Sequence, residues 1–302
     1  MKVLVTGATG FVGRRLCELL NQRGHSVAAL SRDGLAAKQS LPLIDQAFSW
    51  QPASEPAPQE AFDGVGGVIH LLGESVQGRW NAAKKAAIRD SRVIGTRNLV
   101  AGIARLESRP KVLISASAIG YYGDCGDEEL SEESAPGDDF LAGVSREWES
   151  EAVAAERLGL RVVLPRVSVV LGRGGGALEA MLLPFKLGAG GPLGSGRQWW
   201  SWIHRDDLAG MMIELLEGDF SGAVNGAAPN PVRQKEFARV LGKVLRRPAF
   251  MPAPAFALKI VLGGFSAELL SSKRVLPKAA EKIGFSFRYP ELEGALREAL
   301  GR

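Results

Sequence analysis

Val3-Leu4-Val5-Thr6-Gly7-Ala8-Thr9-Gly10-Phe11-Val12-Gly13 is the stretch that decides the fold of this chain. Three successive apolar residues read as a short strand buried on both faces. Glycines follow at 7, 10 and 13, and Val12, Leu16, Leu19 and Leu20 then recur at the spacing of one helical face. Small residues between a buried strand and an amphipathic helix let the backbone turn sharply. They also let a pyrophosphate approach the helix N-terminus, where free N–H groups and the helix dipole favour an anion. Gly7 and Gly10 serve the turn and the approach, and Gly13 allows close helix–strand packing. The bland alternative is a tight strand–helix turn with no ligand.

Downstream, strands and helices alternate. Gly24 closes the first helix, and Ser26 to Leu30 reads as the second strand. Further strands are expected at Gly67–Leu71, Lys111–Ser115 and Arg161–Val170, with helices at Asn81–Leu106 and Asp139–Leu158. Residues 35–60 read as a loose connection with a short strand near Phe48–Trp50. Such alternation argues for an α/β fold: a Rossmann-type, doubly wound parallel sheet. Cofactor choice is read at the end of the second strand, in Ser31 and Arg32. An NAD site places an acid there for the ribose 2′-OH, whereas a hydroxyl and a guanidinium suit a 2′-phosphate. The expected cofactor is therefore NADP(H), with the neighbouring Asp33 as the competing ribose ligand.

After Gly172 the texture changes to glycine-rich loops, including Gly174 to Gly176, and to helical patterns. These lie at Asp206–Leu216, Pro231–Leu245, Ala255–Leu262 and Pro290–Leu300, with Asn230 and Pro231 expected as cap and first turn of the second. The division expected is an NADP(H)-binding domain over residues 1–172. Residues 173–302 are then mainly a substrate-covering region, with some strands and helices returning to the main domain.

The composition of the 302 residues is globular, with 46% hydrophobic and 23% charged residues. A formal charge of +4, without basic runs, gives no nucleic-acid signature. Cys17 and Cys125 have neither metal-ligand nor disulfide-framework spacing, so no metal site is expected. No signal peptide is expected from the opening residues, and the apolar stretch Ala253 to Phe265 is interrupted by Lys259 and too short to span a bilayer. The expectation is a cytoplasmic protein with a small-molecule substrate and neither nucleic-acid nor membrane partner. The oligomeric state is not readable from the sequence.

The glycine spacing differs from G-x-G-x-x-G and resembles that of atypical, extended short-chain dehydrogenases/reductases of the NAD-dependent epimerase-like family. Further stretches carry the resemblance: Leu71-Leu72-Gly73-Glu74, Arg79-Trp80-Asn81, Ser115 to Gly123, Arg166 to Gly176, Trp202 to Ala209 and Asn225 to Pro229. It extends over the whole chain, including a C-terminal tail of the kind this group carries. The resemblance implies that Thr9, Gly10, Phe11 and Val12 line the pyrophosphate, and that Ser31 and Arg32 hold the 2′-phosphate. It also implies that Leu71, Leu72, Gly73 and Glu74 lie along the adenosine and ribose. Arg92 then reaches the cofactor from the long helix, and Val170 sits near the nicotinamide. Leu71, Leu72 and Val170 read equally well as core strand ends, and Arg92 as a solvated helix residue.

Short-chain dehydrogenases generally use Tyr-x-x-x-Lys with a Ser or Thr, the lysine and ribose lowering the tyrosine pKa. The helix expected to carry the pair reads Phe140-Leu141-Ala142-Gly143-Val144-Ser145-Arg146-Glu147-Trp148-Glu149, without Tyr or Lys. Ser115 and Ser117 occupy the region of the serine, and Ser117 is the choice. Tyr121 and Tyr122 are the nearby phenols, as proton donors or as loop packing. His204 is a weaker candidate, with a structural role before the helix at Asp206 favoured. Two functions remain: an NADP(H)-dependent oxidoreductase or nucleoside-diphosphate-sugar-epimerase-like enzyme with an unusual proton donor, or a non-catalytic NADP(H)-binding redox sensor or regulatory protein.

Overall fold

The computed structural model describes residues 1–302. From the N-terminus, β1 (Lys2–Thr6), α1 (Phe11–Gln22), β2 (Ser26–Ser31), α2 (Gly34–Ser40) and β3 (Gln46–Ser49) make one wing. The other wing begins with β4 (Val65–His70), α3 (Ala82–Ala104) and β5 (Val112–Ser115). It continues through β6 (Ser117–Ala118), β7 (Glu129–Leu130), α4 (Phe140–Val153) and β8 (Arg161–Val167). Then come β9 (Val169–Leu171), α5 (Gly176–Lys186), β10 (Trp199–Trp200), β11 (Trp202–His204), α6 (Arg205–Glu217) and β12 (Gly222–Gly226). The chain finishes with β13 (Val232–Arg233), α7 (Gln234–Leu245), α8 (Ala255–Leu262), α9 (Phe265–Leu270), β14 (Arg274–Val275), α10 (Lys278–Lys282) and α11 (Leu292–Ala299).

The main sheet runs β12-β8-β5-β4-β1-β2-β3, with β6 also on β8, and every pairing in it is parallel. Alternate residues of each strand face opposite layers. Val3 and Val5 pack with Leu16 and Leu20 of α1 and with Met212 and Leu216 of α6. Leu4, between them, faces the other layer with Val68, Leu99 and Ile103. Both layers are apolar, which is why β1 reads as an unbroken hydrophobic run. The chain winds outward from β1 to β3, then returns to β4 on the far side of β1. The strand order reverses there, opening a crevice at the carboxyl ends of β1 and β4.

Several expectations are corrected. Residues 35–60 are not loose throughout, because Asp33 caps α2 by accepting from Ala36 N at 2.9 Å. The strand expected over Arg161–Val170 breaks at Ser168, whose N–H and hydroxyl both bind Gly226 O. That break turns β9 out of the main sheet to pair with β11. The helix expected from Pro231 starts three residues later, because β13 pairs with β10 and Asn230 is tied to Glu291 at 2.7 Å.

The later chain returns to the main layers. β12 extends the sheet beside β8, and α6 contributes much of one face of the core. A third cluster joins Trp200, Trp202, Phe237 and Leu241 to Leu292 and Leu296 of the tail. Asp207 fastens the tail by accepting from Arg288 N and Tyr289 N at 2.8 and 2.9 Å. β14 pairs with β7.

Candidate dinucleotide site

At the carboxyl end of β1 the chain turns through Gly7, in the left-handed region at φ +68°. A Cβ on Gly7 would stand 2.9 Å from Leu71 O, and one on Gly13 only 2.1 Å from Gly7 O. The turn therefore lies against the end of β4 on one side and under α1 on the other. Gly10 is the N-cap residue of α1, without a side-chain cap, and the first turn carries no acid. Thr9, Phe11 and Val12 are half-buried around that N-terminus. Such an uncapped end, with its unpaired N–H groups and positive dipole, suits a phosphate.

Phe11 has a second contact that its sequence position does not reveal. Its ring fills the space where side chains on Gly175 and Gly176 would project, at 2.7 and 2.8 Å. The Arg205 guanidinium lies 5.0 Å from the ring centroid. The triple-glycine segment is thus neither free loop nor remote from the nucleotide turn. Val170, half-buried on β9 in register with Ile203, borders the same contact, its carbonyl 3.2 Å from where a Cβ on Gly176 would stand.

At the end of β2, Ser31 is half-buried and Arg32 exposed. Asp33 turns its carboxylate into the N-terminus of α2, where it caps Ala36. One oxygen of the competing ribose ligand is thereby engaged in the helix cap.

The end of β4 is held by a buried relay. Thr6 Oγ1 accepts from Leu71 N at 3.1 Å and lies 2.8 Å from His70 Nδ1, while His70 Nε2 lies 3.0 Å from Thr96 Oγ1. These partners suit a neutral ring protonated on Nε2. Burial pushes the His70 pKa down from 6.5 to about 3. Beyond the strand, Leu72 packs over Gly95 of α3, where a Cβ would stand 2.8 Å from Leu72 Cδ2. Arg92 donates to Glu74 O and Ile88 O at 3.0 Å and lies over the Trp148 ring. Its guanidinium stands 3.0 Å from the position of a Cβ on Gly73. Burial lowers its pKa to about 10. Arg92 is therefore not a solvated helix residue; it shapes the 71–74 loop. Glu74 pairs with Lys84 at 2.6 Å, and that bond lowers its pKa, helped by the charges of Arg32 and Arg92. Arg32, Glu74 and Arg92 thus belong to one electrostatic neighbourhood.

Ser117, Tyr121 and Tyr122 are brought together, around a buried ion pair. Arg166 meets Glu149 through two bonds of 2.9 Å. Ser117 donates to Glu149 at 2.6 Å, Tyr122 donates to Asn225 at 2.7 Å, and Arg166 donates to the Tyr122 oxygen at 3.1 Å. Burial pushes the Tyr122 phenol up to about 12. Burial also works against the Arg166 charge, but Glu149 holds that guanidinium above its usual range. Tyr121 lies against the pair, with the guanidinium carbon 3.5 Å from its ring centroid, and it is only half-buried. Ser115, the serine not chosen, has a buried hydroxyl without a partner, at the end of β5 beside His70. Phe140 opens α4 with its ring edge-on to Trp80 at 5.4 Å and under Lys85 at 4.9 Å. His204 is fully buried, caps α6 through Asp206 N and meets Glu298 at 2.8 Å, a structural role.

Sequence reading missed the Thr6–His70–Thr96 relay and the Glu149–Arg166 pair. The signal for the first was a lone histidine ending an apolar strand. The second has none, since its partners are 17 residues apart on different elements.

A parallel sheet whose order reverses beside an uncapped, glycine-lined strand–helix turn defines a dinucleotide-binding α/β protein. The chain belongs to the NAD dependent epimerase/dehydratase family, whose sequence profile matches residues 3–227. Residues 253–299 match a domain of unknown function, DUF1731. The chain is 43% identical to the Arabidopsis thaliana chloroplastic epimerase family protein SDR39U1 homolog, over 98% of this chain and 86% of that one. It is 39% identical to the Bacillus subtilis epimerase family protein YfhF, over 99% of this chain and 98% of the other. The crystal structure of human epimerase family protein SDR39U1 with NADPH superimposes with a TM-score of 0.89 at 36% identity, covering 100% of both chains.

Proposed function

We propose that this chain binds NADP(H) and acts as an oxidoreductase or epimerase-like enzyme on an unidentified small substrate, without the usual Tyr-x-x-x-Lys pair. One observation carries the cofactor choice: Ser31 ends β2 and Arg32 follows it, while one oxygen of the Asp33 carboxylate caps α2. The NADPH in the human relative supports it. In this reading the N–H groups of α1 hold the pyrophosphate and Arg32 pairs with the 2′-phosphate. Arg92 keeps Leu71 to Glu74 shaped along the ribose. The bound nicotinamide supplies or accepts a hydride. Tyr121 exchanges the proton, because Ser117 and Tyr122 already serve the buried ion pair.

Calorimetric titration of the Arg32→Ala variant tests it. A charge-assisted bond to phosphate is worth about 1.5–3 kcal/mol, so NADPH affinity falls roughly ten- to a hundredfold while NADH affinity hardly moves. Equal losses for both remove the 2′-phosphate argument.

The same engagement of Ser117 and Tyr122 favours a second reading, a non-catalytic NADP(H) sensor. A panel of carbonyl substrates with NADPH separates the two. Turnover abolished by Tyr121→Phe supports the enzyme; tight binding without turnover supports the sensor.

A further inference from the structure

The least satisfied surface of the molecule lies on the C-terminal half. α8 is eight residues long, reads Ala255-Phe256-Ala257-Leu258-Lys259-Ile260-Val261-Leu262, and buries none of them. Phe256, Ile260 and Val261 are 70%, 68% and 67% exposed, and nearby Phe250 is 76% exposed. Leu183 and Leu187, at the end of α5, are 66% and 74% exposed. These residues lie on neighbouring parts of the chain, because the segment after Pro248 is hydrogen-bonded alongside the segment after α5. Met251 N donates to Gly190 O, Ala253 N to Pro192 O, and Gly194 N back to Ala253 O. Isolated exposed apolar residues are ordinary, whereas a continuous patch of large ones marks an interaction surface.

The charge around the face decides what covers it. No Asp or Glu occurs from Phe237 to Ala267, and Glu179, one turn before Leu183, is the single acid of α5. Lys186, Arg246, Arg247 and Lys259 are all exposed within or beside the patch, and none takes part in an ion pair of the chain. A second copy of the same face would bring these four cations against one another with Glu179 as the one acid of α5 to offset them. Apolar side chains rimmed by unpaired cations instead complement an interface of acyl chains and anionic headgroups.

We propose that the face formed by α5, the turn at residues 246–251 and α8 docks on an anionic lipid surface. Ala253 to Phe265 is too short to cross a bilayer, and no helix of the structure is long and apolar enough to do so. Lying on the surface needs only one apolar face, and α8 has it. The expectation of no membrane partner rested on spanning alone, and this proposal replaces it. The docking face is tied to the dinucleotide site at both ends. α5 begins on the Phe11 ring, and Gly263, just after α8, is bridged to Trp80 of the 71–81 loop. The proposal is independent of which nicotinamide cofactor binds.

The test is co-sedimentation of the full chain with phosphatidylcholine vesicles, with and without phosphatidylglycerol. Binding is expected to the mixed vesicles, to weaken with salt, and to be faint with phosphatidylcholine alone. Ile260→Asp removes an exposed apolar contact and lowers vesicle affinity about tenfold or more. Lys259→Glu lowers it about fivefold or more. Both variants keep the parental melting temperature, since neither side chain is buried. Equal binding to the two vesicle types, no binding to either, or binding unchanged in both variants overturns the proposal. So does a concentration-dependent dimer in sedimentation velocity that Ile260→Asp dissolves, which assigns the face to a second copy. Capture of an acidic protein in preference to vesicles overturns it as well.

Discussion

His70 shows how one residue can couple the sheet to the site. Its ring is fully buried between Thr6 and Thr96, and through Thr6 it fixes the Leu71 N–H at the mouth of the crevice. Its pKa is held near 3 in the fold against 6.5 unfolded. Above pH 6.5 both states are neutral, and the stability conferred by the relay is complete. As the pH falls below 6.5 the unfolded chain takes up a proton that the native chain refuses. Stability then declines by about 1.4 kcal/mol per pH unit until the native pKa is approached. Urea denaturation at a series of pH values should show this slope, and His70→Gln should flatten it whatever its effect on absolute stability. A slope unchanged by that substitution would assign the pH dependence to other groups. The same scale explains what the sequence hid. Ser117, Tyr122, Glu149 and Arg166 are ordinary residues in their own segments, and only the fold makes them one buried network. Removing one member of a buried ion pair exposes the other to an uncompensated desolvation cost.

Among the elements, the β1–α1 unit was legible from its residues and its geometry follows from sterics. Gly13 tolerates no Cβ, because Gly7 O stands 2.1 Å from it, whereas a Cβ on Gly10 would meet its nearest atom at 3.1 Å. Gly13→Ala should therefore push α1 away from the turn, costing about 1–3 kcal/mol or more and most of the coenzyme affinity. Gly10→Ala should be milder in denaturation, although its Cβ, placed where the pyrophosphate approaches, should also weaken NADPH binding. Equal effects would mean that the glycine spacing is not set by helix–turn contact. α2 was missed because its few residues carry no apolar period; its start depends on the Asp33 cap. Pro231 suggested a helix start, but pairing of β13 with β10 satisfied those backbone groups in an extended form instead. Tertiary hydrogen bonding outweighed local preference there.

On the scale of the whole molecule, the tail is part of the body. The Asp207 carboxylate, buried in α6, receives the N–H groups of Arg288 and Tyr289, and His204 meets Glu298. Asp207→Ala leaves both amides unpaired and should cost about 3 kcal/mol or more. It should also raise hydrogen exchange over residues 285–299 selectively. Exchange that rises evenly over the chain instead would show that Asp207 does not fasten the tail. The tail also brings α8 beside the loop after β4, so the docking face and the dinucleotide crevice share one framework.

The sequence alone determined the α/β class, the parallel winding and the glycine turn. These depend on local periodicity and on the need for small residues where backbone meets backbone. It also placed Ser31 and Arg32 at the strand end. Only the tertiary structure decided that Asp33 caps a helix, that Ser117 and Tyr122 feed an ion pair, and that Phe11 packs on the triple glycine. It also decided that the apolar side chains of α8 stay in solvent. Each of those outcomes is a competition for partners between segments far apart in the chain, and no local pattern records who wins it.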